Sequence, residues 1–264
     1  MTGRVLILDG AMGTMLPRGR ASAEAVSSLH HAYLDAGADI ITTHTFESRG
    51  HVEDLHAAAL ARAAADDWSL RTPDRPRRVA GAIGPIKPVA GLDLRAAYRE
   101  RIRALLEGGV DLLLLETVVH AGSARAALEA VADASAIAGT RRPLMISASL
   151  TREGRLLSGE DVVAFSELAR TASPFSVGLN CSCGVRHLVP YVRQLAALAD
   201  CLVSCHPNAG LPDSSGHHPD RPSEMAAALG ALAASGQVHI VGGCCGTTPD
   251  HVRAIAAAVS TPTR

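Results

Sequence analysis

The chain has 264 residues, 47% of them hydrophobic and only 3% aromatic, with a formal net charge of −1 at pH 7. That length suits one α/β barrel and buries enough surface to need no disulfide staples. The near-neutral charge and few aromatic rings give no basic, base-stacking face for nucleic acid. Apolar runs such as residues 110–115 stop far short of the ~20 residues needed to cross a bilayer. The opening MTGRVLILDG lacks a secretory leader's long apolar core and cleavage site, so a cytoplasmic protein without membrane partners is expected.

Short β-branched and leucine-rich runs alternate with longer alanine-rich stretches of helical period. A strand over 5–9 is followed by a helix over 22–36, a strand over 40–43 and a helix over 52–70. Strands over 79–83 and 111–116 each precede a helix, over 94–107 and 121–138. The strand over 144–150 leads to a helix over 160–171, and that over 176–179 to a helix over 188–199. The strands over 201–205 and 238–241 lead to helices over 223–234 and 249–259. Gly37, Gly108 with Gly109, Gly139 and Gly236 stand where left-handed helix caps belong. Thr248-Pro249-Asp250 opens the last helix with a cap, a proline and an acid. Eight strand–helix units predict a single-domain (β/α)8 TIM barrel spanning residues 1–264. The rival, an open doubly wound sheet, normally has fewer units.

In such a barrel the chemistry collects where the strands end. Those ends carry Asp9-Gly10-Ala11-Met12-Gly13-Thr14, Thr43-His44-Thr45-Phe46, Gly84-Pro85, Glu116-Thr117, Asn180-Cys181, His206-Pro207-Asn208 and Gly242-Gly243-Cys244-Cys245-Gly246. All six cysteines lie in the last third of the chain. A disulfide between the neighbours Cys244 and Cys245 would be strained, so reduced thiols are expected. Cys181, Cys244 and Cys245 offer three soft ligands from nearby strand ends, a set that suits zinc and leaves a fourth position open, as in a catalytic site. Cys183 is a possible further ligand, and Cys201 and Cys205 are expected to be packing residues.

A free thiol is only about 3% ionised at neutral pH. A coordinated thiol loses its proton outright. Three protein thiolates leave the centre electron-rich, which favours alkylation of a bound thiol over activation of water.

Together LDGAMGTML, THTF, LLLLET, GLNC, HPNAGLP and VGGCCGTTPDHV resemble the homocysteine S-methyltransferase family over nearly the whole chain. HPNAGLP looks most like the homocysteine-binding module of cobalamin-dependent methionine synthase. The resemblance implies one zinc ion per chain held by Cys181, Cys244 and Cys245. It also implies that homocysteine's amino and carboxylate groups are read near Asp9, the amides of Gly10 and Ala11, and Glu116. The chemistry agrees, because strand-end carboxylates pair with an ammonium and glycine-rich amides can cradle a carboxylate.

Asn180, at the same rim, is placed with the substrate-facing residues, although it and Asn208 are expected chiefly to hold loops through side-chain hydrogen bonds. His44 stands where the family usually has Asn. His206, on the strand between those that carry the cysteines, is a candidate fourth zinc ligand, with a structural rim histidine the favoured reading. The segments after Leu16 and Pro85 are shorter than in relatives, and the Gly-Pro that usually follows the first cysteine is absent. The implied reaction converts homocysteine, or a related thiol, to its S-methyl product. The donor is a small sulfonium, such as S-methylmethionine or S-adenosylmethionine, or a methylcorrinoid on a separate protein. Two alternatives are the same chemistry on another thiol or selenol and a zinc-binding barrel without catalysis.

Overall fold

The computed structural model describes residues 4–17, 21–47 and 50–260. Eight parallel strands alternate with eight helices, and the strand order β1-β8-β7-β6-β5-β4-β3-β2 runs around a single barrel. The parallel bridge Leu8↔Ile40 joins the first and second strands and brings the ends of the sheet together. The strands are β1 (Leu6–Ile7), β2 (Ile40–Thr42), β3 (Arg78–Ile83), β4 (Leu112–Val118), β5 (Leu144–Ala148), β6 (Ser176–Gly184), β7 (Leu202–Asn208) and β8 (Ile240–Val241). The helices are α1 (Ala23–Asp35), α2 (His51–Arg71), α3 (Leu94–Glu107), α4 (Ala121–Ala138), α5 (Val162–Arg170), α6 (Val185–Leu198), α7 (Pro222–Ala234) and α8 (Pro249–Ser260).

Strand alternation divides the core in two. Leu8, Ile40, Ala80, Leu112, Leu114, Met145 and Ile240 form one small cluster, the plug that a barrel of eight strands requires. A much larger cluster, with Ile41, Val79, Leu113, Ile146, Val177 and Val203, lies between the strands and the apolar helix stripes. Tyr33, Tyr98 and Phe165 are its largest buried rings. No described helix is long and apolar enough to cross a membrane.

Local signals place the helix ends. Ser22, Asp93 and Asp161 cap α1, α3 and α5 by accepting from the amides of Ala25, Ala96 and Ala164. Gly37, Gly109, Gly139 and Gly236 take positive φ as expected. Gly108 differs: its φ is −74°, and Gly109 alone makes the left-handed turn. The largest differences from the predicted strands are in β6 and β7. Both run several residues further, because their ladder resumes at Gly184↔Asn208 after a register shift that follows Cys181. β1 and β8 are shorter than predicted and have only two residues each.

Candidate active site

The register shift in β6 shapes the site. Residues alternate sides along a strand, so Asn180 and Cys181 would normally face opposite ways. Cys181 and Ser182 instead take left-handed φ values of 55° and 62°. Such a bulge can re-aim a side chain. Cys181 Sγ lies 3.9 Å from Cys245 Sγ, and the three sulfurs of Cys181, Cys244 and Cys245 all fall within 4.8 Å of one another. Among the described residues this is the one group of three or more side chains with metal-ligand spacing. Cys183 and His206 are not part of it. Cys205 packs in the core, and partly buried Cys201 packs against the same cluster.

The turn after β8 is built to bring two adjacent sulfurs to one point. Thr247 packs so tightly on Gly243 that a methyl group there would overlap it, and the His218 ring does the same at Gly246, where φ is +79°. The Thr247 hydroxyl donates to Cys244 O at 2.7 Å and accepts from the Ala11 amide at 3.0 Å. Thr14 Oγ1 accepts from Gly246 N at 3.0 Å, and Tyr33 donates to Ala11 O at 2.6 Å. The β1 and β8 loops are therefore one cross-braced unit. His218 bonds Gly210 O through Nδ1 at 2.9 Å, which fixes the long β7–α7 loop beside the cysteines.

Three crowded thiols cannot all be ionised. Hydrogen bonds from Cys181 and Cys244 hold the Cys245 thiol well below its usual range. Contact with Cys181 and Cys245, together with burial, pushes Cys244 up. At Cys181 the hydrogen bond with Cys244 pulls downward, but the Cys245 contact and burial outweigh it and the group rises. Cys245 is thus the sulfur that ionises most readily, with its two neighbours donating to it.

The cysteines open onto a cavity of about 700 Å³. Asp9, Gly10, Ala11, His44 and Glu116 line it, as the sequence suggests. Asp9 is 1% exposed. Its Oδ2 accepts from the Thr42 amide at 2.7 Å and the Thr42 hydroxyl at 3.1 Å. Burial nevertheless raises Asp9 well above the carboxylate range, against those bonds and with help from Glu116. Burial also pushes Glu116 up to about 7, reinforced by the Cys245 charge and opposed by Arg101. Two carboxyl groups with raised pKa values line one cavity, and a cation brought close to such groups favours their charged forms.

The other expected residues stand differently. The Ala11 amide is already spent on Thr247. Asn180 is fully buried and absent from the cavity wall. Its side chain bonds Thr117 and Ser147 and reaches Cys244 Sγ at 3.9 Å. Asn208 donates to Ser182 O at 2.8 Å, and its Oδ1 has no partner among the described residues. His206 lines the cavity, and burial lowers it to about 4, which makes it neutral at pH 7.

Arg101 is the main residue not anticipated from the sequence. It lies on the buried face of α3 with Tyr98, Ile102 and Leu105, and it donates to Gly84 O, Thr45 O and Phe46 O at the ends of β3 and β2. An arginine on an otherwise apolar helical stripe was the available signal.

A family model described as homocysteine S-methyltransferase matches residues 6–259, and the chain belongs to that family of thiol methyltransferases. Among solved structures it is similar to the homocysteine methyltransferase MmuM from Escherichia coli. The apo form is 26% identical with a TM-score of 0.78, over 96% of this chain and 95% of that one. The metallated form is 22% identical with a TM-score of 0.75, over 96% of each chain. An octameric ribulose-1,5-bisphosphate carboxylase/oxygenase from Pyrococcus horikoshii is 11% identical with a TM-score of 0.62, over 98% of this chain and 59% of that one, and shares the barrel alone.

Proposed function

We propose that the protein is a zinc-dependent S-methyltransferase that transfers a methyl group from a small sulfonium donor to homocysteine, yielding methionine. The observation that carries this reading is the convergence of three sulfurs from β6 and the β8 loop in the same cavity as the Asp9–Glu116 pair.

The donor set fits the metal. Zinc–thiolate bonds of ~2.3 Å set tetrahedral sulfurs about 3.8 Å apart, and the Cys181–Cys245 separation is 3.9 Å. Three ligands leave one position for the acceptor. The Cys245 thiol, held low by its two neighbours, gives a dication reason to bind. MmuM, which has a metallated form, is a relative of the same fold. When bound, zinc would hold the acceptor's sulfur as a thiolate at neutral pH and leave it nucleophilic.

The remaining work belongs to the chain. Asp9 and Glu116 take the amino-acid ammonium, and Thr42 holds the Asp9 carboxylate toward it through two hydrogen bonds. Asn180 and Thr247 fix the cysteine-bearing loops behind the acceptor. The acceptor's sulfur lone pair forms the new bond to the methyl carbon. The bond from that carbon to the donor sulfur breaks with its electron pair, so the sulfonium becomes a neutral thioether. The thiol proton passes to solvent.

The lining favours a cationic donor. It carries five acidic side chains, Asp9, Glu47, Glu53, Asp54 and Glu116, of which Asp54 pairs with Arg101, and no lysine or arginine among its described residues. That supports a sulfonium over a methylcorrinoid on a separate protein. The test is purified protein with homocysteine and S-methylmethionine, with methionine and bound zinc measured by mass spectrometry. About one zinc per chain and loss of both metal and turnover in Cys245→Ala are expected. Full turnover after zinc is stripped would overturn the reading.

A further inference from the structure

Cys181 and Cys245 come from different turns of the rim, so their separation is set by whatever packs on those turns. Cys181 lies in the β6 bulge, which ends at Gly184, and Cys245 lies in the turn after β8, followed by Gly246. β7 runs between the two. Its continuation, the connection to α7 over residues 209–221, folds back over both. Residues 211–217 of this connection are exposed, whereas His218 and Asp220 are partly buried.

Hydrogen bonds close the neck of the connection. Ala209 N donates to Cys245 O at 3.0 Å, and Asp220 N donates to Ala209 O at 3.0 Å. The two partly buried side chains then reach different turns. The Asp220 carboxylate lies against Gly184 and Gly210: an added Cβ at Gly184 would overlap Oδ2, and one at Gly210 would lie 3.0 Å from Oδ1. The His218 ring instead fills the place a side chain would take at Gly246. Its Nδ1 lies 2.9 Å from Gly210 O. A carbonyl oxygen only accepts, so Nδ1 carries the proton and donates. α8 anchors the neck from outside, because His251 Nε2 donates to Asp220 O at 3.0 Å while its Nδ1 accepts from Thr248 N at 3.2 Å. The exposed tip is tied as well: Asp213 Oδ1 accepts from the amides of Ser215 and His217 at 2.8 and 3.0 Å. Ordering an exposed connection costs backbone entropy. Several of the contacts that offset it fall on the two cysteine-bearing turns.

We propose that His218 and Asp220 are positioning residues of the metal centre, two arms of a strap that holds the turns of Cys181 and Cys245 at the separation one zinc ion requires. This rests on the zinc-dependent reading above. Groups behind the ligands of a metal site set its affinity by fixing where those ligands point. His218 holds the Cys245 turn, and Asp220 holds the end of the β6 bulge. Gly210 couples the two arms, since it meets both side chains.

The experiment compares wild type with His218→Ala, which removes the ring and its donor, and His218→Asn, whose amide can donate to Gly210 O in place of Nδ1. Zinc release to a chromogenic chelator is timed. The visible spectrum of the cobalt(II)-substituted protein reports the geometry around the metal, and the thermal midpoint of the metal-free protein reports the fold. His218→Ala is expected to release zinc about tenfold faster or more and to shift and weaken the cobalt bands, with the metal-free midpoint close to that of wild type. His218→Asn is expected to recover most of the wild-type rate and spectrum, and Asp220→Ala to release zinc faster than wild type. Wild-type zinc release in His218→Ala, an unchanged cobalt spectrum, or faster release that appears only together with a lowered metal-free midpoint would overturn the role of the strap. Wild-type protein that takes up no zinc would instead overturn the function on which it rests.

Discussion

Asn180 holds Thr117 at both of its polar groups: its Oδ1 accepts from the Thr117 amide at 3.0 Å, and its Nδ2 donates to the Thr117 hydroxyl at 2.8 Å. Thr117 has φ of 57°, a left-handed conformation that costs a β-branched residue about 1–3 kcal/mol unless its surroundings impose it. The same Oδ1 also accepts from Ser147 at 2.7 Å. Asn180→Ala removes all of these partners from a fully buried position. The expected loss is about 2–4 kcal/mol, seen as a lower midpoint in thermal unfolding, together with faster zinc release to a chelator, because Nδ2 also reaches Cys244 Sγ. A variant with wild-type Tm and wild-type zinc retention would show that this pairing does not organise the rim.

Glu116 links binding to stability. Its ordinary value is 4.5, and the fold raises it to about 7. A carboxyl raised on folding stabilises the native state fully below its unfolded pKa and loses that contribution as pH rises through the folded one. Between pH 4.5 and about 7 the wild type should therefore lose up to about 3 kcal/mol that Glu116→Gln would keep. Denaturant midpoints should coincide near pH 4.5 and separate at pH 8, with the variant more stable. Homocysteine affinity should fall in that variant, the usual exchange of activity for stability at a binding site. Equal pH profiles for the two proteins would mean that the Glu116 carboxyl is well solvated.

The barrel was legible in the sequence because each of its units announces itself locally. Apolar strand runs and alanine-rich helical stretches recur eight times, glycine caps close four of the helices, and these signals agree with one another. The cysteine trio was legible too, since two adjacent thiols between glycines have few structural uses. The bulge in β6 was not. Nothing in Asn180-Cys181-Ser182 signals two successive non-glycine residues at positive φ, because tertiary contacts impose that conformation. Asn208, for example, donates to Ser182 O at 2.8 Å. The occupied Ala11 amide was hidden for a related reason: its acceptor, Thr247, lies 236 residues away. Local pattern finds elements and reactive residues, whereas long-range hydrogen bonds decide which polar groups remain available to a ligand.

Gly178 tests the barrel interior. It pairs in register with Ser204 on β7, and an added Cβ would fall within the Ser204 hydroxyl and against its carbonyl. Backbone cannot yield as a flexible side chain does, so Gly178→Ala should cost about 3 kcal/mol or more. Ser204→Gly in the same chain should restore only part of that loss, since the carbonyl stays in place. Complete restoration, measured by denaturant unfolding, would show that the hydroxyl alone sets the limit.

Two buried aspartates at opposite ends of the barrel should separate stability from binding. Asp39 sits at the start of β2, opposite the cavity. It accepts from Arg4 at 2.9 Å, Arg75 at 2.6 Å and the Ile7 amide at 2.9 Å. Burial alone would raise its pKa, but the Arg75 and Arg4 bonds and the Ile7 amide outweigh it, and the group falls below 3.8. A lowered carboxyl contributes stability that is present above its unfolded pKa and lost as pH falls through the folded value. Asp39→Asn should therefore cost about 3–5 kcal/mol at pH 7, with the gap to wild type closing below pH 3.8, and should leave homocysteine affinity per folded molecule unchanged. Asp9 is raised rather than lowered, so Asp9→Asn should cost little or no stability at pH 7 while weakening homocysteine binding by about tenfold or more. Calorimetric titration at matched folded fraction decides the matter. Reduced affinity in Asp39→Asn, or retained affinity in Asp9→Asn, would break the division between a stabilising face and a binding face that the barrel otherwise maintains.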